Sequence, residues 1–518
     1  MKVCLLHPEH DYDSEPLPWN EQALVHDLGL DVVLAVMAQR DKFLFAASKE
    51  IILSSLATDV DTILYRQRVL QDCLKHSSVV RELYSLAVRG VERENKGYWS
   101  FFSKYPTGVL NRSLELIQML LDVLRKLRIL AEKQTDGFNS EGFRNLFAML
   151  KRELTDEYLD DIRAHLQELR FLNGVLISAE LGEGNKGANY VLRKSPSKKT
   201  RFLWFFGGGR DQSFQFRLHP RDQRGAKALG ELNERGIDQV ANVLGQSADY
   251  ILAFFKRLRT QLGFYLGCMN LHQALAKKKE PVCLPVPVNA NERRHSFTEL
   301  YDIGLALSIR SQVVGNDLGA EHKDMVIITG ANQGGKSTFL RSIGLAQLMM
   351  QAGMFVGATS FSANLCSTLC THYRREEDET MNSGKFDEEL QRMDEIVDHL
   401  SPNSLVLFNE SFAATNEREG SEIARQIVSA LAERRIKMFF VSHQYTFTSG
   451  FHGRKWNNVT FLRAERRADG SRTYKLVQAE PLRTSYGEDL YNRIFEHKLV
   501  PERPELELVT SPTGDQSS

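Results

Sequence analysis

A short apolar segment, residues 325–330, leads directly into the glycine-rich stretch GANQGGKS, and a segment of good helix formers follows it. Glycines permit the tight backbone path of such a loop, whose successive N–H groups can surround a phosphate at the start of the helix. Lys336 adds a positive charge for the β- and γ-phosphates, and the Ser337 hydroxyl is placed to bind Mg²⁺. The order strand, loop, helix therefore predicts an α/β P-loop domain that binds ATP. The expected nucleotide contacts are Gly330, Ala331, Asn332, Gln333, Gly334, Gly335, Lys336, Ser337 and Thr338.

Two more apolar segments, 404–409 and 437–442, end in polar residues and indicate neighbouring strands. Glu410 follows the first, where a carboxylate can polarise an attacking water. Asn409 stands where a carboxylate on the Mg²⁺ side is usual; its amide oxygen can accept a hydrogen bond from a metal-bound water but brings no charge. His443 follows the other segment and is a candidate sensor of the γ-phosphate. ATP binding is thus expected, while Asn409 leaves the rate of hydrolysis open.

The remainder of the chain has mostly helical patterns. Apolar spacing predicts an all-α region at 18–100 and long helices at 109–132, about 143–169 and about 229–277. Alternating residues and glycine-rich turns at 175–227 instead predict a small β-rich insert. Cys366, Cys370 and His372 lie in an alternating, strand-like stretch, where packing is favoured over a metal site because only three ligands are offered.

The β-rich insert is also basic: residues 193–227 contain ten Lys or Arg and two Asp, in a chain with 66 basic and 66 acidic residues. Such a patch predicts binding to DNA phosphates without sequence preference, although a solvated face is the alternative. The aromatic run at 204–206 is expected to pack the insert rather than to stack on bases. The candidate DNA contacts are Arg193, Lys194, Lys198, Lys199, Arg201, Arg210 and Arg217.

Composition adds two expectations. No apolar run reaches the roughly 20 residues that cross a bilayer, and the N-terminus turns acidic before a secretory core develops. Six scattered cysteines suit a reducing compartment. We therefore expect a soluble, cytoplasmic protein without a membrane partner.

The chain resembles the MutS family of DNA mismatch-repair ATPases. IITGANQGGKSTFLRSIGLAQLMMQAGMFVGA (327–358) is similar to the family's phosphate loop and the helix after it, and SLVLFNESFAATNEREG (404–420) to its second strand and loop. VSHQ (441–444) falls on the family's switch histidine, SYG (485–487) recurs near the end, and YRQRVL (65–70) resembles part of its helical core. The mismatch-reading and connector domains and the C-terminal nuclease domain of one branch are expected to be missing.

The resemblance implies an ABC-type ATPase that works as a dimer, each ATP being completed by a signature loop of the partner. That loop falls at 381–390, with Gly384 on the family's signature serine and Ser383 one residue earlier; Val313 falls on its adenine-stacking aromatic. The implied function is an ATP-hydrolysing, dimeric clamp on branched or distorted DNA in repair or recombination, and the implied partners include repair or recombination proteins. The alternative is an ATP-binding scaffold that hydrolyses little and binds a protein.

The domains implied by this resemblance are a helical core and lever domain at 1–174 and 228–278, a clamp-like insert at 175–227, a linker and lead-in at 279–322, the ATPase domain at 323–500 and a disordered tail at 501–518.

Overall fold

The computed structural model describes residues 1–95, 105–134, 137–172, 174–194, 216–375, 384–453, 458–467 and 469–482. The chain divides into two compact units. The first unit contains residues 1–19, 31–279 and 348–355, and the second contains residues 20–30, 280–347 and 356 onwards. The division differs from the expected one at residues 20–30, which belong to the second unit although they lie within the expected helical domain. Within the described ranges, no helix has both the length and the apolar character needed to cross a bilayer.

The helices are α1 Glu21–Leu28, α2 Leu30–Ala38, α3 Lys42–Ser54, α4 Val60–Lys75, α5 Ser77–Asn95, α6 Pro106–Lys133, α7 Glu141–Glu153, α8 Asp156–Glu168, α9 Gln223–Lys278, α10 Ile303–Ser308, α11 Lys336–Gln351, α12 Lys385–His399, α13 Glu417–Glu433 and α14 Tyr445–Gly453. The strands are β1 Leu176–Leu181, β2 Gly187–Arg193, β3 Val286–Val288, β4 His295–Leu300, β5 Asn316–Gly319, β6 Met325–Gly330, β7 Ser360–Asn364, β8 Leu369–Tyr373, β9 Leu405–Asn409, β10 Lys437–Val441, β11 Val459–Arg466 and β12 Arg472–Gln478.

The first unit is built mainly of helices. The predicted long helix at 109–132 is confirmed as α6, and its apolar stripe is buried from Leu110 to Leu124. The prediction of one continuous helix at 143–169 is wrong, because the helical conformation is interrupted between α7 and α8. Leu154 leaves the helical conformation, and the Thr155 hydroxyl oxygen accepts a hydrogen bond from the Tyr158 amide at 3.2 Å. A threonine in this position starts a new helix, so the apolar spacing alone was misleading.

The helix predicted at about 229–277 is longer than expected, since α9 has 56 residues and begins at Gln223. Asp222 caps its first turn by accepting a hydrogen bond from the Gly225 amide at 2.8 Å. Gly236 of this helix has a packing role: a Cβ there would lie 2.2 Å from Cδ1 of Ile177 in β1. The missing side chain thus lets the β1–β2 hairpin approach the helix.

The described part of the β-rich insert predicted at 175–227 contains an antiparallel hairpin of β1 and β2, in which Leu176 pairs with Arg193. Its last five residues differ from the prediction, because they form the start of α9. Residues 195–215 lie outside the described ranges, as does the predicted tail at 501–518.

The second unit has the predicted α/β character. Its main sheet has the strand order β12-β11-β6-β10-β9-β8, and all neighbours are parallel except β11 and β12. The strands predicted at 325–330, 404–409 and 437–442 are confirmed as β6, β9 and β10. Most of their residues are apolar and almost fully buried, as is usual for a parallel sheet that helices cover on both faces. Since Val441 pairs with both Ile328 and Asn409, the carboxyl ends of these strands lie at one edge.

A second sheet has the order β3-β7-β4-β5. Three of its strands come from residues 279–322, which were expected to be a linker and lead-in. That segment is instead part of the second unit, and α10 and β5 within it carry one wall of the site described below. Pro281, Pro285 and Pro287 are typical of a linker, but Pro287 lies in β3, a short edge strand where a missing amide is tolerated.

Candidate nucleotide site

The phosphate loop connects β6 to α11 as the sequence predicts. Gly330 and Gly335 have φ angles of 107° and 86°, which a residue with a side chain rarely adopts. A Cβ on Gly330 would also lie 2.8 Å from the backbone nitrogen of Ala464 in β11. The loop therefore depends on these two glycines, and it leads into the N-terminus of a 16-residue helix. A helix N-terminus presents free N–H groups and a positive dipole end to an anion.

Lys336 begins the helix and folds back over the loop. Its Nζ donates hydrogen bonds to the carbonyl oxygens of Gly330 at 3.1 Å and Ala331 at 2.9 Å, and the side chain is almost fully buried. Burial lowers the pKa of Lys336 to about 8, while the neighbouring Glu410 opposes this shift and Arg472 adds to it. The Lys336 ammonium group thus lies inside the loop that is expected to bind the phosphates.

Ser337 and Asn409 are neighbours at the carboxyl edge of the sheet. The Ser337 hydroxyl donates a hydrogen bond to Oδ1 of Asn409 at 2.9 Å. Together they offer two uncharged oxygen ligands, the donor type that Mg²⁺ prefers. The pair fits a Mg²⁺ ion held partly through water, with less negative charge than a carboxylate would give.

Glu410 and His443 form the other polar pair of the edge. Nε2 of His443 is 2.9 Å from Oε1 of Glu410, and the two side chains are 28 and 32% exposed. The hydrogen bond from His443 lowers the pKa of Glu410; burial opposes this, and the charges of His443 and Lys336 reinforce it. The carboxylate therefore stays ionised near neutral pH and can accept a hydrogen bond from water.

A cavity of about 610 Å³ joins these groups to an apolar wall. On the polar side it contacts the loop from Asn332 to Thr338 and the pair Glu410 and His443. The apolar side comes from α10 and the segment after it. The wall residues are Leu305, Ile309, Val313 and Val314. Val313, which falls on the family's adenine-stacking position, thus faces the cavity that contains the phosphate loop.

Tyr474 is a lining residue that the sequence reasoning missed. It lies in β12, and its Cβ and Cδ1 are 3.6 Å from the Cβ position of Gly335. Its φ angle of 60° is strained for an aromatic residue. Asn316 holds the strand at Tyr474 and just after it, since its amide donates to the Tyr474 carbonyl at 3.3 Å and its Oδ1 accepts from the Leu476 amide at 2.7 Å. Only the pairing of distant strands brings Tyr474 here, so no local sequence signal marks it.

Other predicted residues lie away from this cavity or outside the described ranges. Gly384 is exposed at the start of α12, and Ser383 lies outside the described ranges, as does SYG 485–487. In the first unit, Nε of Arg193 donates to the Ser178 hydroxyl at 2.9 Å, Lys194 pairs with Glu168 at 2.9 Å, and Arg217 is exposed. Lys198, Lys199, Arg201 and Arg210 are outside the described ranges, so DNA contact remains a prediction.

The stretch with Cys366, Cys370 and His372 is buried. The two nitrogens of His372 lie 2.8 Å from the Ser411 hydroxyl and 3.0 Å from the Glu389 carbonyl oxygen. Burial raises the pKa of both Cys366 and Cys370 to about 12, which keeps these thiols protonated. The ring thus has protein partners on both nitrogens.

Comparison with known families gives two matches along the chain. Residues 58–278 match the MutS2 N-terminal domain, and residues 326–499 match MutS domain V. The chain belongs to the MutS family. Domain V of this family is a P-loop ATPase domain, in agreement with the predicted ATPase region and the cavity around its loop.

Individual relatives agree with this assignment. The chain is 34% identical to DNA mismatch repair protein MutS of Thermus aquaticus over 178 residues, 34% of this chain and 22% of the relative. It is 26% identical to DNA mismatch repair protein MSH3 of Arabidopsis thaliana over 398 residues, 73% of this chain and 33% of the relative. It is 28% identical to Endonuclease MutS2 of Thermus thermophilus over 221 residues, 42% of this chain and 28% of the relative. The chain thus spans a third or less of each of these MutS-family proteins.

Proposed function

We propose that this chain is an ATP-hydrolysing, DNA-binding protein of the MutS type, a dimeric clamp that nucleotide opens and closes on branched or distorted DNA during repair or recombination. The ATPase part of the proposal rests on one observation: the phosphate loop with Lys336 and the Glu410–His443 pair line the same cavity. The DNA part rests on the basic insert and on the family. The expected site of action is the cytoplasm.

The side chains suit hydrolysis of ATP by water. Lys336 and the loop amides would hold the β- and γ-phosphates, and Ser337 with Asn409 would hold Mg²⁺, which neutralises phosphate charge when bound. Glu410 would accept a hydrogen bond from the attacking water and orient its oxygen toward the γ-phosphorus. His443 keeps Glu410 ionised and in place. The new P–O bond forms as the bond to the β–γ bridging oxygen breaks, releasing ADP and phosphate.

The ATPase proposal is tested with Glu410→Gln, which keeps the shape and removes the charge. We expect kcat to fall at least about 100-fold while a fluorescent ATP analogue still binds, because binding depends on the loop. Glu417→Gln, on an exposed residue of α13, is the matched control. Equal kcat values for Glu410→Gln and wild type would reject the assigned role.

The DNA proposal is tested by reversing Lys198, Lys199 and Arg201 to Glu. The binding constants for duplex, mismatched, junction and single-stranded DNA are measured at several salt concentrations. In a plot of the logarithm of the binding constant against the logarithm of the salt concentration, each lost phosphate contact should reduce the slope by about 0.9. A matched reversal of three exposed residues of α6, Arg112, Lys126 and Lys133, controls for net charge. Equal losses in both triple variants would show that only overall charge matters.

A second function is favoured by Asn409. Because its amide gives Mg²⁺ no negative charge, the chain could instead be an ATP-binding scaffold that hydrolyses little and binds a protein partner. ATP binding without turnover, in the presence of every DNA of the panel, would select this function over the first.

A further inference from the structure

His372 connects two parts of the second unit. It lies on β8, the edge strand next to β9, and its side chain is fully buried. On one side Nε2 is 3.0 Å from the carbonyl oxygen of Glu389 in α12. On the other side Nδ1 is 2.8 Å from the hydroxyl of Ser411, the residue directly after Glu410. A single ring therefore joins the helix that starts after Gly384 to the segment that carries the candidate carboxylate.

The partners determine how the ring is protonated. Burial lowers the pKa of His372 to about 4, and the positive charge of Arg392 contributes, so the ring is neutral near pH 7. A carbonyl oxygen only accepts, so Nε2 carries the proton toward Glu389 and Nδ1 is the acceptor facing Ser411. The Ser411 hydroxyl has one proton and lies within hydrogen-bonding distance of two acceptors, Nδ1 of the ring and, at 2.6 Å, the carbonyl oxygen of His372 itself. The hydrogen bond from Nε2 to the Glu389 carbonyl and the contact of Nδ1 with this hydroxyl together hold the ring in one orientation.

The segment that His372 supports is strained. Glu410 and Phe412, on either side of Ser411, have φ angles of 55° and 60°, in the left-handed region that non-glycine residues avoid. Such a conformation is energetically unfavourable and persists only where neighbouring residues enforce it. The ring of His372 stacks on Phe412 with centroids 5.2 Å apart, and Gln444 donates to the Phe412 carbonyl at 2.9 Å.

We propose that His372 is a positioning residue for Glu410. Its contact with Ser411 holds the strained segment that orients the Glu410 carboxylate. Its hydrogen bond to the Glu389 carbonyl makes this orientation depend on the position of α12. The catalytic part of this inference rests on the proposed ATPase function. A change in the position of α12 would therefore alter the orientation of Glu410 without involving the phosphate loop.

The test compares His372→Phe, Ser411→Ala and the double variant. Phenylalanine keeps the stack on Phe412 and removes both ring hydrogen bonds, while the Ser411 hydroxyl can still donate to the carbonyl of residue 372. We expect each single variant to lower kcat about tenfold with the affinity for a fluorescent ATP analogue changed less than twofold. The double variant should be no worse than the poorer single variant, because both break one connection. His399→Phe, at an exposed position of α12, should match the wild type.

Hydrogen exchange gives a readout that does not require hydrolysis. Amides of residues 410–412 should exchange about tenfold faster in His372→Phe, while those of residues 330–337 keep their wild-type rates. A wild type without ATPase activity would refute the hydrolysis proposed above, and exchange would still decide the role of His372. Wild-type exchange at 410–412 in His372→Phe, or losses of kcat that multiply in the double variant, would overturn the inference.

Discussion

The Ser337 hydroxyl donates a hydrogen bond at 2.9 Å to the side-chain oxygen of Asn409, across the edge where β9 ends and α11 begins. Both groups are neutral. In a P-loop ATPase these two positions are usually occupied by a hydroxyl and a carboxylate, which hold Mg²⁺ together. We therefore expect this pair to determine how strongly the chain binds Mg²⁺ beside a nucleotide.

Asn409→Asp should strengthen the metal site. A carboxylate adds negative charge at the same oxygen position, so the Mg²⁺ concentration for half-maximal ATPase activity should fall about tenfold, and kcat should rise or stay equal. The measurement is a Mg²⁺ titration of ATP turnover. Asn416→Asp is the control because Asn416 caps α13 and Asp caps equally well. An unchanged Mg²⁺ requirement in Asn409→Asp would remove Asn409 from the metal site.

His443→Leu should change the pH dependence of turnover. Activity that needs ionised Glu410 is present above the pKa of Glu410 and is lost as the pH falls through it. Because the hydrogen bond from His443 lowers this pKa, its removal should raise the pKa and move the acid limb of the kcat profile to higher pH. His399→Leu should keep the wild-type profile. An acid limb that does not move in His443→Leu would show that Glu410 does not govern it.

Lys336 should take up a proton when nucleotide binds. Its pKa is about 8 because it is buried, and phosphate charge beside it would raise that value. At pH 8.5 we expect an uptake of roughly half a proton or more per ATP, measured by calorimetry in buffers of different ionisation enthalpy. The uptake should be absent in Lys336→Met if that variant still binds. Binding without proton uptake by the wild type would contradict the placement of Lys336 beside phosphate.

Gly384→Ser tests the expected signature position. Gly384 is the N-cap of α12, makes no side-chain cap and has open space where a Cβ would be. Serine should therefore fit and stabilise the helix start by a few tenths of a kcal/mol. If residue 384 contributes to the ATP site of a partner subunit, the added hydroxyl should raise kcat at protein concentrations where sedimentation shows a dimer. A rise that is equal for monomer and dimer would exclude a contact across the dimer.

Local signals predicted the core of the second unit well. The three buried strands and the phosphate loop each depend on a few consecutive residues, so the sequence located them within one residue. Tyr474 and the Ser411–His372 contact depend on pairing between distant strands, which a single sequence does not encode locally. The break at Thr155 was missed for another reason: the apolar spacing continued through it, although the capping threonine was a readable signal.

The glycines of α9 provide a matched pair for stability. A Cβ at Gly230 meets nothing within 4 Å, whereas one at Gly236 would lie 2.2 Å from Ile177. Gly230→Ala should therefore raise the free energy of unfolding of the first unit by about 0.5–1 kcal/mol, the usual difference in helix propensity. Gly236→Ala gains the same propensity, but the Ile177 side chain must shift at a packing cost of about 1–3 kcal/mol, so this variant should have a lower free energy of unfolding than Gly230→Ala. Thermal and urea unfolding measure both. Equal stabilisation by the two variants would show that the hairpin does not pack on α9 at Gly236 in solution.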